Sequence, residues 1–277
     1  MEYVELKISA KSDEQAEIFT AFLSDFPFES FAYEGETLSA YAPREEYEAC
    51  EKQVEAVLRG CNAEFCFSCV EQQNWNAEWE ETFEPVEVRC IPPIRIRAPH
   101  HPASAEGVID VVIAPRMSFG TGHHNTTALM TEHITNIGVE GLHGLDMGCG
   151  TGVLAIAALK CGASKMTAVD IDDWACDSCR DSAALSGVAD KVDVRCGSID
   201  VVQGERYDFV LANINRNILI NMMPSFADVL PSGGKLLMSG FYIDDAPIIE
   251  ASATEYGFEV VACQEREGWT VLYCVKH

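Results

Sequence analysis

Basic side chains are scarce in this sequence of 277 residues. Lys and Arg number 19 against 44 Asp and Glu, a formal net charge of −25. So acidic a surface repels nucleic-acid phosphates, whose binding needs a basic patch, and direct nucleic-acid binding is not expected. The same acidity suits a basic, lysine-rich protein partner or serves solubility alone, and composition does not choose between the two. Long apolar runs are missing too: no stretch of about 18 apolar residues is present, so no membrane-spanning helix is expected. Glu2, Glu5 and Lys7 interrupt the opening residues, which leaves no apolar segment of a secretory leader. The twelve cysteines are therefore expected to be reduced thiols and the protein cytoplasmic. Internal repeats and low-complexity tracts are absent. Hydrophobic residues make up 48%, enough for a packed core.

Residues 1–70 read as a small α+β domain. Tyr3 to Ile8 alternates as a strand does. Ser12 is placed to cap a helix through Ala16, Phe19, Phe22 and Leu23. Phe28 to Tyr33 and Thr37 to Tyr41 form a hairpin around Glu34-Gly35-Glu36. Pro43 opens a second helix with Tyr47, Val54, Val57 and Leu58 on one face, and Ala63 to Val70 closes the unit as a strand. The order βαββαβ is the ferredoxin-like pattern. Fifteen acidic and five basic side chains fall within it. Residues 71–85 read as a linker helix, on which Trp75 and Trp79 stand four apart and share a face.

Residues 86–277 read as a second domain. Short strands at Val86 to Cys90, Ile94 to Arg97 and Val108 to Ala114 lie among Pro85, Pro92, Pro93, Pro99 and Pro102. From about Thr126, helices alternate with short apolar strands, which implies a parallel sheet. A helix covers Thr126 to Ile137. Strands fall at Gly144 to Met147, Met166 to Asp170, Lys191 to Arg195, Phe209 to Ala212 and Lys235 to Ser239. Helices at Asn217 to Val229 and Ala246 to Tyr256 follow, and Glu259 to Cys263 with Thr270 to Val275 are spaced as an antiparallel hairpin.

The densest chemical signal is Asp146-Met147-Gly148-Cys149-Gly150-Thr151-Gly152, at the end of the first strand of that alternation. Glycines let the backbone turn sharply and approach a ligand closely. An open α/β sheet binds its ligand beyond the carboxyl ends of its strands. The G-x-G-x-G spacing and the acid before it differ from the dinucleotide loop, which reads G-x-G-x-x-G. They fit the nucleoside loop of S-adenosylmethionine-dependent methyltransferases. The next strand ends at Asp170-Ile171-Asp172, where a carboxylate can accept hydrogen bonds from both ribose hydroxyls. Asn213 follows the strand Phe209 to Ala212, where amine-directed methyltransferases carry an Asn or Asp that orients the attacking nitrogen. An Asn there could equally cap the next helix. Ser118 to Thr127 is a glycine-broken polar loop that either folds over the cofactor or simply enters a helix. Cys66-x-x-Cys69 and Cys176-x-x-Cys179 lie far apart on different elements, and no metal site is expected from them.

These segments together resemble the bacterial PrmA family, methyltransferases of ribosomal large-subunit protein L-eleven. The resemblance rests on Asn74-Trp75-Asn76 with Trp79-Glu80, Phe83 to Val86, Phe119-Gly120-Thr121-Gly122 with His124 and Thr126-Thr127, Leu145 to Gly152, Leu154 to Ala158, Asp170 to Asp172, and Ala212-Asn213-Ile214. It implies a seven-stranded Rossmann-like class I methyltransferase fold behind a ferredoxin-like recognition domain, with S-adenosylmethionine as cofactor. It implies cofactor contacts at Thr127, Gly148, Asp170 and Asn213, and we add Phe119, Thr121, Asp146, Gly150 and Ile171 as cofactor-binding candidates. Asn213 is also the catalytic candidate. The implied reaction is methylation of lysine and N-terminal α-amines on a basic ribosomal protein, by a monomer. Asn215-Arg216 departs from the small or apolar residues expected beside the acceptor nitrogen. Rival readings are a methyltransferase of another protein, RNA or a small-molecule amine, a non-catalytic nucleoside-binding module, and a Rossmann oxidoreductase.

Overall fold

The computed structural model describes residues 3–24, 26–28, 30–35, 37–61, 63–70, 83–114 and 120–277. Residues 71–82 of the expected linker helix, with Trp75 and Trp79, and Phe119 lie outside them, and residues 83–85, expected to end that helix, are not helical. The chain divides into two compact units, Met1–Trp75 and Asn76–His277.

The first unit runs β1 (Tyr3–Ser9), α1 (Asp13–Leu23), β2 (Ser30–Glu34), β3 (Thr37–Pro43), α2 (Arg44–Gly60) and β4 (Phe65–Val70). Its sheet has the order β2-β3-β1-β4 with every pair antiparallel, the ferredoxin-like arrangement. Period-two alternation sends Val4, Leu6 and Ile8 of β1 and Leu38, Ala40 and Ala42 of β3 to one face. There Phe19 and Leu23 of α1 and Val54 and Leu58 of α2 cover them. Ser12 caps α1, its hydroxyl accepting from the Gln15 amide at 3.2 Å. Phe22, expected on the buried face, is 47% exposed. At 3.6 residues per turn it falls far off the stripe made by Ala16, Phe19 and Leu23. Pro43 stands at the cap position, just before α2.

The second unit opens with β5 (Val86–Val88), β6 (Ile94–Arg97) and β7 (Ile109–Val112), a small sheet with β5 antiparallel and β7 parallel to β6. Then follow α3 (Asn125–Asn136), β8 (His143–Met147), α4 (Val153–Lys160), β9 (Lys165–Asp170), α5 (Asp173–Leu185) and β10 (Val192–Cys196). The chain ends with β11 (Phe209–Asn213), α6 (Arg216–Val229), β12 (Lys235–Tyr242), α7 (Ala246–Glu255), β13 (Phe258–Arg266) and β14 (Trp269–Lys276). The large sheet has the order β10-β9-β8-β11-β12-β14-β13. Its first five strands are parallel, and β14 is antiparallel to both neighbours. This is the seven-stranded Rossmann-like sheet expected from the sequence. Strand ends shift by a residue or two: β10 starts at Val192 because Ala189–Lys191 form a 3-10 turn.

Two apolar layers cover this sheet. On one face α4 is buried from Val153 through Leu159, apolar all round because it lies among α3, β7 and β9. On the other, Leu145 and Met147 of β8 pack with Leu219, Met223 and Phe226 of α6. Among the described residues no helix is long and apolar enough to cross a membrane.

Lys235 of β12 ties the carboxyl end of α3 to the sheet. The Lys235 ammonium donates to the carbonyls of Ile137 and Gly138, both at 2.6 Å, at the carboxyl end of α3. A cation there satisfies terminal carbonyls and meets the negative end of the helix dipole. Replacing Lys235 with Met should lower unfolding stability by about 1.5–3 kcal/mol, the usual range for hydrogen bonds to a charged group. Urea denaturation followed by circular dichroism measures this, and an unchanged midpoint would remove Lys235 from the set of fold-defining contacts.

Candidate functional site

The sheet reverses its winding between β8 and β11. The chain builds outward through β9 and β10 on one side and through β12 on the other. At that switch the carboxyl ends of two neighbouring strands open a crevice where α/β sheets take ligands.

The glycine loop lines this crevice. Gly148, Gly150 and Gly152 have φ of +75°, +52° and +77°, conformations that L side chains rarely adopt. Space is equally restrictive. A Cβ on Gly148 would come within 2.3 Å of Ile214 Cγ2, and one on Gly152 within 2.5 Å of Cys179 Sγ. The Gly148 and Cys149 amides donate to the Val169 carbonyl at 2.8 and 3.1 Å, which fastens the loop to β9. Gly152 then stands at the N-cap of α4, so the amide end of that helix begins at the loop.

Two carboxylates flank the loop and differ in state. Asp146 is fully buried; one oxygen accepts from the Ala155 amide at 3.0 Å, while Oδ1 is buried with no partner among the described residues. Burial pushes its carboxyl from the ordinary 3.8 up to about 7, with the Ala155 N–H opposing and the Asp170 charge adding to the rise. Asp170 is half-buried at the end of β9. Its oxygens accept from the Gly150 amide at 2.9 Å and the Asp172 amide at 3.1 Å. Those bonds fix the carboxylate while leaving acceptor capacity for a vicinal diol. Ile171, the next residue, is 75% exposed, an apolar surface beside the crevice.

On the other side of the switch stands Asn213, the last residue of β11. Its Nδ2 points to Thr127 Oγ1 at 3.5 Å, and its Oδ1 is buried with no partner among the described residues. The helix-capping alternative belongs instead to Asn215, whose side chain accepts from the Asn217 amide at 3.0 Å. Arg216, the unexpected cation beside this position, pairs with Asp245 at 2.5 Å.

The loop before α3 joins both sides. Thr151 Oγ1 donates to the Gly120 carbonyl at 2.7 Å, tying this loop to the glycine loop. Thr121 lies at its half-buried bend, and Thr126 and Thr127 are fully buried in the first turn of α3. His124 caps that helix, its Nδ1 accepting from the Thr126 amide at 3.3 Å. Burial holds the imidazole pKa below its usual value, which favours the neutral ring.

A cavity of about 270 Å³ opens here, lined by His124, Thr126, Asn213, Ile214, Asn215, Gly240 and Trp269. Trp269 escaped the sequence reading. Its ring meets His124 edge-on at 4.5 Å and 70°, and Tyr242 at 4.1 Å and 31°. The only local signal was a tryptophan directly after a Glu-Gly turn, and no periodicity tells that this hairpin folds back beside α3. A second cavity, about 330 Å³, lies near Asp200, Arg206, Ser225 and Asp228 and includes none of these residues.

The cysteines have structural surroundings. Cys149 hydrogen-bonds with Cys179, and this bond together with burial pushes its thiol well above the usual range, so it is no nucleophile. Cys176 and Cys179 are buried in α5, and Cys66 is exposed on β4 of the first unit. Among the described residues no three metal-ligating side chains cluster.

The family model of ribosomal protein L11 methyltransferase (PrmA) matches residues 2–277. The chain belongs to this family. A ribosomal protein L11 methyltransferase of Porphyromonas gingivalis is 38% identical over 265 residues, covering 92% of this chain and 89% of that one. One from Phocaeicola vulgatus is 33% identical over 281 residues and covers 98% of both. The crystal structure of a ribosomal protein L11 methylase from Lactobacillus delbrueckii subsp. bulgaricus superposes with a TM-score of 0.61 at 27% identity, over 66% of this chain and 94% of that one. The protein is thus a methyltransferase of the PrmA family, with S-adenosylmethionine as its methyl donor. The glycine cradle, the fixed Asp170 carboxylate and the orphaned Asp146 oxygen fit a nucleoside with a cationic tail.

The raised carboxyl of Asp146 carries a pH signature. Between about 4 and 7 the folded protein keeps this proton while the unfolded chain releases it. The stability contributed by the group is therefore greatest below about pH 4, declines as pH rises to about 7, and is flat above. Asp146→Asn removes the titration, so stability of the variant relative to the parent should climb across that window. Urea midpoints at intervals of pH test this, and parallel pH profiles would refute it.

Proposed function

We propose that this enzyme transfers methyl groups from S-adenosylmethionine to amines of ribosomal protein L11, both lysine side chains and the N-terminal α-amine. The observation that carries the reading is the buried Oδ1 of Asn213, without a partner among the described residues, on a side chain that lines the cavity next to the glycine loop. A buried carbonyl oxygen without a donor is costly, and an incoming amine N–H supplies one.

Bound S-adenosylmethionine supplies an electrophilic methyl on a sulfonium and needs no further activation. The protein's share is orientation and exclusion of water. Gly148, Gly150 and Thr121 would surround the methyl donor, Asp170 would take its ribose, Ile171 its base, and Asp146 would favour its positive charge. Thr127 holds the Asn213 amide so that Oδ1 faces the acceptor. The acceptor nitrogen donates one hydrogen to Oδ1, and its lone pair is aimed at the methyl carbon. The His124 and Trp269 rings give that nitrogen an apolar, uncharged wall, which favours the neutral amine over the ammonium. The nitrogen's remaining proton leaves to water once the carbon–nitrogen bond has formed and the carbon–sulfur bond has broken.

Residues 1–70 serve as the recognition domain and 86–277 as the catalytic domain. With fifteen acidic and five basic side chains, the first of these suits a lysine-rich ribosomal protein. The enzyme acts as a cytoplasmic monomer and does not bind nucleic acid directly.

Two experiments test the reading. Labelled S-adenosylmethionine with a ribosome-deficient extract should place label in one small basic protein, L11; label in RNA or in a small amine would overturn the acceptor assignment. Asn213→Ala should reduce kcat about 100-fold on purified L11, the scale of a lost orienting contact, with circular dichroism unchanged. Undiminished turnover would remove Asn213 from the mechanism.

A further inference from the structure

Among the described residues one non-glycine residue has positive φ, Glu267 at +51°. It shares the two-residue turn of the β13–β14 hairpin with Gly268, at φ +82°. Both central residues left-handed is the geometry of a tight hairpin turn that Asn-Gly or Asp-Gly fills best. Glutamate has no local advantage there, since its longer side chain cannot bond its own backbone as Asn and Asp do. Strain held at such a position is a reason to look for what the side chain does.

The Glu267 carboxylate reaches across to α3, where Oε2 accepts from Asn125 Nδ2 at 2.9 Å. Each partner sits next to a wall of the acceptor cavity. Asn125 directly follows His124, and Glu267 stands two residues before Trp269. The two rings meet at 4.5 Å. The same hairpin is joined to α3 farther along, by Arg266 on Glu132 at 2.7 Å and Gln264 with His133 at 2.8 Å. Those contacts hold the shaft of the hairpin, whereas Asn125–Glu267 holds its tip. On the far side of the tip, the Ile243 amide donates to the Gly268 carbonyl at 2.8 Å.

We propose that Asn125 and Glu267 form a positioning clasp which sets the spacing between His124 and Trp269 and thereby the affinity for the acceptor amine. The inference rests on the reading of that cavity as the acceptor site. Neither clasp residue touches the reacting atoms. Opening the clasp acts on the acceptor's KM and leaves the cofactor loop, held separately by Thr151 and Asp170, as it was.

The test is steady-state kinetics on the full enzyme with purified L11, beside calorimetric titration of S-adenosylhomocysteine. Asn125→Ala and Glu267→Gly should each raise the L11 KM about tenfold, with kcat and the nucleoside Kd within twofold of the parent. Glu267→Gly suits the turn's backbone, so its fold is kept. Glu267→Gln keeps the accepting oxygen and loses the charge, and it should restore KM to within twofold. The double variant Asn125→Ala with Glu267→Gly should be no worse than either single one. Unchanged KM in the single variants overturns the clasp. So does failure of Glu267→Gln to rescue, which would assign the effect to charge, and so does additivity in the double variant. Trp269→Ala separates the two layers of inference. If it leaves the L11 KM unchanged, the acceptor-cavity reading fails; if it raises KM while Asn125→Ala does not, only the clasp fails.

Discussion

Everything at the crevice is built around the space occupied by Ile214. Its side chain fills the place where a Cβ on Gly148 would lie, and its carbonyl oxygen stands 2.4 Å from where a Cβ on Gly240 would be. Its amide donates to the Ser239 carbonyl at 3.1 Å. The glycine loop, the end of β11 and strand β12 therefore close on one residue with no slack. Protein interiors are close-packed, so a shift in any of the three is felt by the others. Asn213 directly precedes Ile214, so the amide that lines the cavity belongs to the neighbour of the residue that shapes the glycine loop. A reaction governed by orientation gains from such rigidity, because displacements of about 1 Å cost heavily in rate.

The crevice contrasts with the rest of the chain in charge. The sequence as a whole carries −25, yet the cavity beside Asn213 is lined by neutral side chains and burial favours the neutral form of its one imidazole. Arg216, which could have brought a cation to its edge, is paired with Asp245. Asp146, sealed beneath the glycine loop, is shifted by burial to about 7 and so is poised between its forms near neutrality. Low charge at a site favours neutral over charged ligand groups, while acidity elsewhere on the surface attracts basic ones.

Much of this is legible in the sequence. Alternation in β1 and β3 gave the buried face of the first unit, and the β/α rhythm after Thr126 gave the parallel sheet. Where side chains were misjudged the cause was geometric: Phe22 has the right chemistry for a core but the wrong angle on its helix. The spacing of Asp146, Gly148, Gly150 and Asp170 marked one cluster, and the structure does bring them together around Val169 and Gly150. Two readings of Asn213 were compatible with its position, and only the placement of Asn215 on the Asn217 amide removed the capping one.

By itself the sequence determined the fold class, the order of elements, the nucleoside loop and the family. Those depend on local periodicity and on glycine spacing, which neighbouring residues express without help from distant ones. The tertiary structure alone decided that Trp269 and His124 share a cavity with Asn213, that Thr127 steadies the Asn213 amide, and that Glu267 reaches Asn125. These contacts join residues 86 to 145 positions apart. Such pairs are set by the winding of the sheet and the return of its last hairpin to α3, and no local pattern encodes where that hairpin will come to rest.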